Sequence, residues 1–180
     1  DVYKRQLLSN AMEDKINISE LICTRISHDL IGNIGAFANA VELLEDEDDD
    51  FIDEIKNTLK TSSEVLTARL KFFRMAFGLT NANLENIETV KKVTEDYLQT
   101  LNLNHPVKAD IKIINSPFNR AVMLACMCAA EVIVRGGTVK VSSTRQAIII
   151  SAVSDSPLAQ NKISAMQTVL ELSLIHISEP

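Results

Sequence analysis

Two long helical segments, separated by a run of acidic residues, constrain the fold of this chain most strongly. Residues 19–45 have the apolar rhythm of a helix, with Ser19 in the position of an N-cap. Between the two segments "DEDDD" predicts a solvated turn, and Gly78 predicts the C-cap of the second helix. In that second helix, apolar residues recur at steps of three, four and seven positions: Ile52, Ile55, Leu59, Leu66, Leu70, Phe73 and Phe77. The pattern predicts an antiparallel two-helix hairpin.

A single hairpin of this kind would leave half of each apolar stripe exposed to water. Each helix would be about 40 Å long at about 1.5 Å per residue. Dimerisation that pairs two hairpins into a four-helix bundle would bury the remaining stripes. We therefore expect residues 12–80 to form a dimerising helical domain.

The pattern changes after residue 84 to helices interleaved with short strands. It predicts helices at 87–103, 119–134 and 160–172, a strand at 107–114, and a hairpin of strands in "TVKVSS" and "AIIISAV" with its turn at 144–146. The pair Gly136–Gly137 is interpreted as a turn that enters a strand. Residues 85–172 are therefore expected to form a small α/β sandwich, and the whole chain an α+β protein.

Both ends of the chain resemble sequence that does not belong to the natural protein. "SNA" before Met12 resembles the scar of a cleaved tag, and the first six and last eight residues resemble translated adapter sequence. Residues 1–11 and 173–180 are therefore treated as artefact-like tails. The natural chain is expected to continue beyond Leu172.

Composition excludes several classes of partner. A net charge of −6 argues against nucleic acid or an anionic membrane surface. No apolar run has the length of a membrane span, and the N-terminus lacks the apolar core of a signal peptide, so a cytoplasmic protein is expected. The three cysteines lack zinc-site spacing, which predicts no metal site and buried thiols at Cys126 and Cys128.

The histidine in the first helix is the main candidate for chemistry. At about 100° per residue, His28 lies opposite a set of apolar residues that should form the buried seam of the helix. Gly32, Gly35 and Asn39 share the side of the histidine, and Arg25 flanks it. The predicted seam consists of Ile26, Leu30, Phe37, Val41 and Leu44.

Residue types on this face fit phosphoryl chemistry. Each glycine costs about 1 kcal/mol of helix propensity, which would be tolerated if a partner's backbone must approach closely. Arg25 could contact a phosphoryl oxygen, and Asp29 could fix the tautomer of the imidazole and accept its proton. Two alternatives remain open at this point. A surface histidine can have no function, and paired glycines can mark close helix packing.

Three segments resemble a known family. "ISHDLIGNIGAFANAVELLE" resembles the H-box helix of bacterial histidine kinases, and more closely that of the ChpT-type alphaproteobacterial histidine phosphotransferases. "ARLKFFRMAFG" is similar to the second bundle helix of that family, and "AEVIVRGGTVKV" to its helix, Gly-Gly turn and strand. The resemblance implies a homodimeric phosphorelay protein whose second domain resembles a degenerate kinase ATPase domain. His28 would be the phosphoacceptor, and Asp29 the neighbouring acid.

The implied partners are the receiver domain of a hybrid histidine kinase and downstream response regulators. The sequence does not favour ATP as the phosphoryl donor. A working kinase ATPase domain needs an asparagine on its first conserved helix and a glycine-containing loop after an aspartate. Here the helix "RAVMLACMCAAEVI" lacks asparagine, and no glycine follows Asp155. We therefore expect a phosphotransferase with no bound cofactor, and Mg²⁺ supplied by the receiver. Asn33 stands where kinases commonly have proline, and Gly32 puts a phosphatase activity in doubt. The alternatives are a sensor kinase core that autophosphorylates from ATP and a non-catalytic dimeric scaffold.

Overall fold

The computed structural model describes residues 2–45, 52–78, 84–114 and 117–177, with side-chain surroundings for 16–44, 52–78, 84–114 and 117–168. Within these residues the chain has five helices and three strands, which confirms the α+β class. The chain divides into two compact units, residues 1–69 and residues 70–180. The elements are α1 (Val2–Glu45), α2 (Ile52–Phe77), α3 (Ile87–Gln99), β1 (Val107–Lys112), α4 (Asn119–Ala130), β2 (Gly137–Ser143), β3 (Ile148–Val153) and α5 (Gln160–Ile177).

The first unit contains α1 and most of α2. The Arg69 side chain donates a hydrogen bond to the Asp29 backbone carbonyl. Asp29 lies almost as far before the end of α1 as Arg69 lies after the start of α2. Only two helices that run in opposite directions bring such a pair together, so the predicted antiparallel hairpin is present. The acidic turn "DEDDD" lies outside the described residues.

The predicted start of the first helix is wrong. α1 already begins at Val2, and Ser19 therefore lies inside the helix. An N-cap needs a preceding residue outside the helix, because it satisfies backbone N–H groups that lack a partner in the preceding turn. Helical residues before Ser19 remove that requirement. The end of α2 was predicted correctly, and a Cβ at Gly78 would collide with the Arg74 carbonyl oxygen.

The apolar seam of α1 is rotated from its predicted position. Among residues 16–44 only Ala40 is fully buried, at 3% exposure, and the half-buried side chains centre on the side of Asp29 and Asn33. Phe37, Val41 and Leu44 remain 40%, 38% and 41% exposed, so they are not buried within this chain. The physical reason is that one neighbouring helix covers only one sector of a helix surface. On α2, Leu70 likewise is 52% exposed although the periodicity places it on the buried face.

The second unit is built on a three-stranded sheet in the order β1-β2-β3. β1 and β2 are parallel and are connected through α4, whereas β2 and β3 form an antiparallel hairpin closed at Thr144–Ala147. Val107, Val139 and Val141 lie on one face of the sheet and are at most 2% exposed. Both α3 and α4 pack against this sheet and each other, which gives the predicted two-layer arrangement.

The glycine pair at the start of β2 has the predicted role. Gly136 has a φ of +69° and Gly137 a φ of +155°, and both values favour glycine. The three helices in this part of the chain end at positions different from those predicted: α3 and α4 stop four residues early, and α5 continues to Ile177.

The core of the second unit includes an aromatic cluster of which the periodicity of the second helix identified only Phe73. The Phe72 and Tyr97 rings stack with centroids 3.9 Å apart, and Phe73 meets Tyr97 edge-on at 5.6 Å. Cys126 is fully buried as predicted, and burial raises the pKa of its thiol to about 12. The prediction for Cys128 is wrong, because this residue lies on the exposed side of α4.

Candidate functional site

His28 lies in the middle of α1 with its imidazole in solvent. The side chain is 85% exposed, which agrees with the helical periodicity that directs it away from the apolar residues. The helix directs the side chain of this residue outward, and the ring is accessible. A partner can therefore reach the ring without any rearrangement of the chain.

Asp29 connects the histidine to two arginines. Its side chain is only 10% exposed, and its Oδ1 lies 3.5 Å from His28 Nδ1, at the outer limit of hydrogen bonding. Its Oδ2 accepts a hydrogen bond of 3.0 Å from Arg25 Nε, one helical turn earlier. Arg69 Nη1 donates to the backbone carbonyl of Asp29. The carboxylate is thus held between a cation and the imidazole.

The two glycines leave an open surface beside the histidine. A Cβ placed at Gly32 or Gly35 would have no other side chain or distant backbone within 4 Å. Among the described residues no part of the chain packs closely on either glycine, so close helix packing within this chain does not account for them. Asn39, on the same side of α1, is exposed as well. The structure therefore brings Arg25, His28, Gly32, Gly35 and Asn39 onto or beside one accessible face.

The contact of Arg69 with Asp29 is the feature of the site that the sequence did not predict. The periodicity of α2 places Arg69 beside the apolar seam, where an arginine is usually solvated. No local pattern in the sequence indicates that it reaches the Asp29 carbonyl, because the contact depends on the register between the two helices. His105, in contrast, lies in an exposed loop, where its backbone N–H donates to Asn102 Oδ1 at 3.0 Å. The side chain of His176 lies outside the described part of the chain.

The first residue of α4 is an asparagine that bears on nucleotide binding. Asn119 is 1% exposed, and its Nδ2 donates to the Leu84 carbonyl at 2.7 Å, so this amide is engaged in holding the segment before α3. Asp155 is exposed, and Ser154 Oγ donates to the Gly136 carbonyl at 2.7 Å. Within the described residues, no group of three or more His, Cys, Asp or Glu side chains is arranged to hold a metal ion.

Comparison with known proteins found a family match within the second unit. Residues 87–166 match the family model of the histidine phosphotransferase C-terminal domain. The resemblance seen in the sequence is confirmed by a curated relative, the protein phosphotransferase ChpT of Brucella abortus (strain 2308). It is 34% identical over 86 residues, which are 47% of this chain and 40% of the relative. The chain thus matches about two-fifths of the length of that relative.

A solved structure extends the likeness to the fold of most of the chain. The structure of a bacterial phosphotransferase, at 1.7 Å, matches with a TM-score of 0.61 and 22% sequence identity. The match covers 86% of this chain and 85% of that one, a share larger than residues 70–180 alone could supply. The shared fold therefore includes helices of the unit that carries His28.

No helix among the described residues is both long enough and apolar enough to cross a membrane.

Proposed function

We propose that this chain is a histidine phosphotransferase that carries a phosphoryl group between receiver-domain aspartates through phospho-His28. The observation that carries the proposal is the geometry of one residue: an 85% exposed imidazole whose Nδ1 faces the carboxylate of Asp29. The family model of residues 87–166 and the ChpT relative support the same activity. The partners are a receiver domain of a hybrid kinase and downstream response regulators, in a cytoplasmic phosphorelay.

The position of Asp29 supports Nε2 of His28 as the reacting nitrogen in this proposal. A carboxylate facing Nδ1 favours the tautomer that carries its proton on Nδ1, which leaves the lone pair of Nε2 directed to solvent. Nε2 attacks the phosphorus of a receiver acyl phosphate in line, the N–P bond forms, and the aspartyl oxygen leaves with the electron pair of the P–O bond. Asp29 stabilises the positive charge that develops on the ring. Reversal of these steps on a second receiver discharges the histidine.

In this proposal the receiver docks on the face formed by Arg25, Gly32, Gly35 and Asn39. The glycines admit the receiver's backbone close to α1, and Arg25 adds positive charge next to the site of transfer. The receiver supplies Mg²⁺, and the chain itself binds no cofactor. Positioning and charge neutralisation account for most of the catalysis.

The chain acts as a homodimer in this proposal, with two hairpins in a four-helix bundle. Support comes from the exposed apolar residues of α1, among them Ile34, Phe37 and Val41, which lie on the side of α1 away from His28. A dimer would cover them and leave the imidazole accessible. The C-terminal unit would then correspond to a degenerate ATPase-like domain, because no glycine follows Asp155 and the Asn119 amide is engaged elsewhere.

Transfer from a radiolabelled receiver phosphate tests the activity directly. The wild-type chain should acquire an acid-labile, base-stable label when it is mixed with a phosphorylated receiver domain. His28→Ala should take up no label, whereas His105→Ala, the matched control in an exposed loop, should behave as the wild type does. Label that persists in His28→Ala would contradict the assignment, and label acquired from ATP alone would favour a kinase.

A further inference from the structure

Arg69 connects the second helix to the residue next to the phosphoacceptor. It is half-buried on α2, and its Nη1 donates to the backbone carbonyl of Asp29, 40 positions earlier in the sequence. The bond goes to the main chain of α1, so it holds the helical turn on which His28 stands. The side chain of Asp29 remains available to Arg25 and to the imidazole.

The contact restrains the part of the backbone from which the Asp29 carboxylate projects. Oδ1 lies 3.5 Å from Nδ1, a distance at which a small change in the backbone between His28 and Asp29 removes the interaction. Arg25 holds the carboxylate only from within the same helix, by a contact one turn away. Arg69 provides the restraint from the neighbouring helix, which keeps this turn of α1 in register with α2.

The same contact changes the charge around the histidine. A carboxylate beside a phosphoacceptor would repel an incoming phosphoryl group, since both are negative. Two guanidinium groups, those of Arg25 and Arg69, bind the side chain and the backbone of Asp29 respectively, and the three residues together carry one net positive charge. Fixed positive charge of this kind stabilises the charge of a transferring phosphoryl group.

We propose that Arg69 is a positioning residue for phosphotransfer at His28, an inference that rests on the function proposed above. It holds the Asp29 turn against α2, and through it the ring tautomer and the charge at the site. Arg69 acts through Asp29 and does not contact the receiver.

Three variants test the proposal. Arg69→Met keeps the apolar stem and removes the charge and the donors, Arg69→Lys restores a charge and one donor group, and Arg74→Met makes the same change at an exposed arginine of α2. Single-turnover transfer from a purified phosphorylated receiver domain is measured at increasing receiver concentration. The rate is expressed per folded molecule, with helix content from circular dichroism.

We expect Arg69→Met to lower the maximal rate by about 10- to 100-fold, the loss typical of a misplaced reacting group. The half-saturating receiver concentration should change by less than about twofold, since Arg69 does not touch the receiver. Arg69→Lys should recover part of the rate, and Arg74→Met should match the wild type. Nitrogen-15 NMR of the His28 ring should show a smaller fraction of the Nδ1–H tautomer in Arg69→Met.

Several results would overturn the inference. The first is an unchanged transfer rate per folded molecule in Arg69→Met, and the second is an equal loss of rate in Arg74→Met. The third is a raised half-saturating receiver concentration in Arg69→Met with an unchanged maximal rate, which would place Arg69 in receiver docking. If the wild-type chain takes no label at His28, the proposed function fails instead. The tautomer fractions of the wild type and of Arg69→Met then still decide whether Arg69 positions the Asp29–His28 pair.

Discussion

At the scale of single residues, Gly32 and Gly35 show a conflict between the stability of α1 and access to its surface. Glycine in a helix interior is less favourable than alanine by about 1 kcal/mol. Sterically, alanine would fit at both positions, because an added Cβ meets nothing within 4 Å. The chain therefore keeps two unfavourable residues at positions where its own packing does not require them. Receiver access, as proposed above, gives them a reason.

Alanine substitutions separate stability from access. Gly32→Ala and Gly35→Ala should each raise the free energy of unfolding by about 0.5–1 kcal/mol, as measured by urea denaturation. Each should also raise the half-saturating receiver concentration in phosphotransfer by about 3- to 10-fold, a loss on the order of 1 kcal/mol in docking. Gly78→Ala is the control, and it should destabilise the fold because its Cβ would collide with the Arg74 carbonyl. A stabilised Gly32→Ala variant with wild-type transfer kinetics would contradict the role in access.

The residues of the site differ in how well the sequence predicts them. The exposure of His28 and the shared face of Gly32 and Gly35 follow from the period of the helix alone. The proximity of Arg25 to His28 and to Asp29 also follows, because residues three and four positions apart in a helix are neighbours. Arg69 could not be predicted in the same way. Which α2 side chain meets Asp29 depends on the length of the turn and the rotation of both helices, and no local pattern encodes these.

At the scale of elements, the order of the helices and strands was predictable, whereas several ends were not. β1 and the β2–β3 hairpin begin at positions indicated by alternation and by the glycine pair, since the φ of +69° at Gly136 favours glycine. The predicted start of α1 was wrong, because a serine with an N-cap pattern caps a helix only when the preceding residues are not helical. The buried seam of α1 is rotated from its predicted position for a tertiary reason, because the sector of the α1 surface that is buried is the one that α2 covers.

The capped start of α3 allows a prediction about stability. Asn86 Oδ1 accepts hydrogen bonds from the backbone N–H groups of Glu88 and Thr89, at 3.0 and 3.2 Å. Asn86→Ala should lower the free energy of unfolding by about 1 kcal/mol, and Asn86→Asp should retain most of it, because both Asn and Asp are good N-caps. Chemical denaturation followed by circular dichroism measures both.

Phosphotransfer by Asn86→Ala should equal that of the wild type under conditions in which the chain is folded. Asn86 belongs to the second unit, and His28 belongs to the first. An Asn86→Ala variant as stable as the wild type would show that the cap contributes nothing. A folded variant with reduced transfer would show that the two units are coupled.

At the scale of the whole molecule, the residues that perform the proposed chemistry and the residues that match the family model lie in different units. The family match covers residues 87–166, whereas His28, Asp29 and Arg69 all lie within residues 1–69. The proposed role of His28 is therefore supported by the geometry of the residue and by the H-box resemblance of its helix. Function in the first unit thus requires its own experiments, beginning with the transfer assay.

The exposed apolar residues of α1 predict the oligomeric state. Ile34, Phe37 and Val41 are 54%, 40% and 38% exposed and lie on one side of the helix, where water contact is unfavourable. In light scattering after size exclusion, the wild type should have about twice the mass of the 19.9 kDa chain. Phe37→Glu should weaken the dimer by about 100-fold or more, because an unpaired charge would be buried at its centre.

A charge on the histidine side provides the control for the dimer. Thr24→Glu adds the same side chain on the exposed side of α1, away from the apolar stripe, and should remain dimeric. His28 is accessible in both the monomer and the proposed dimer. Phe37→Glu should therefore have the mass of a monomer while its imidazole remains on the surface. Loss of phosphotransfer together with the dimer would then mean that the partner hairpin helps to form the receiver-docking surface. A wild-type chain that is monomeric at tens of micromolar, or a Phe37→Glu variant that is still dimeric, would rule out this stripe as the interface.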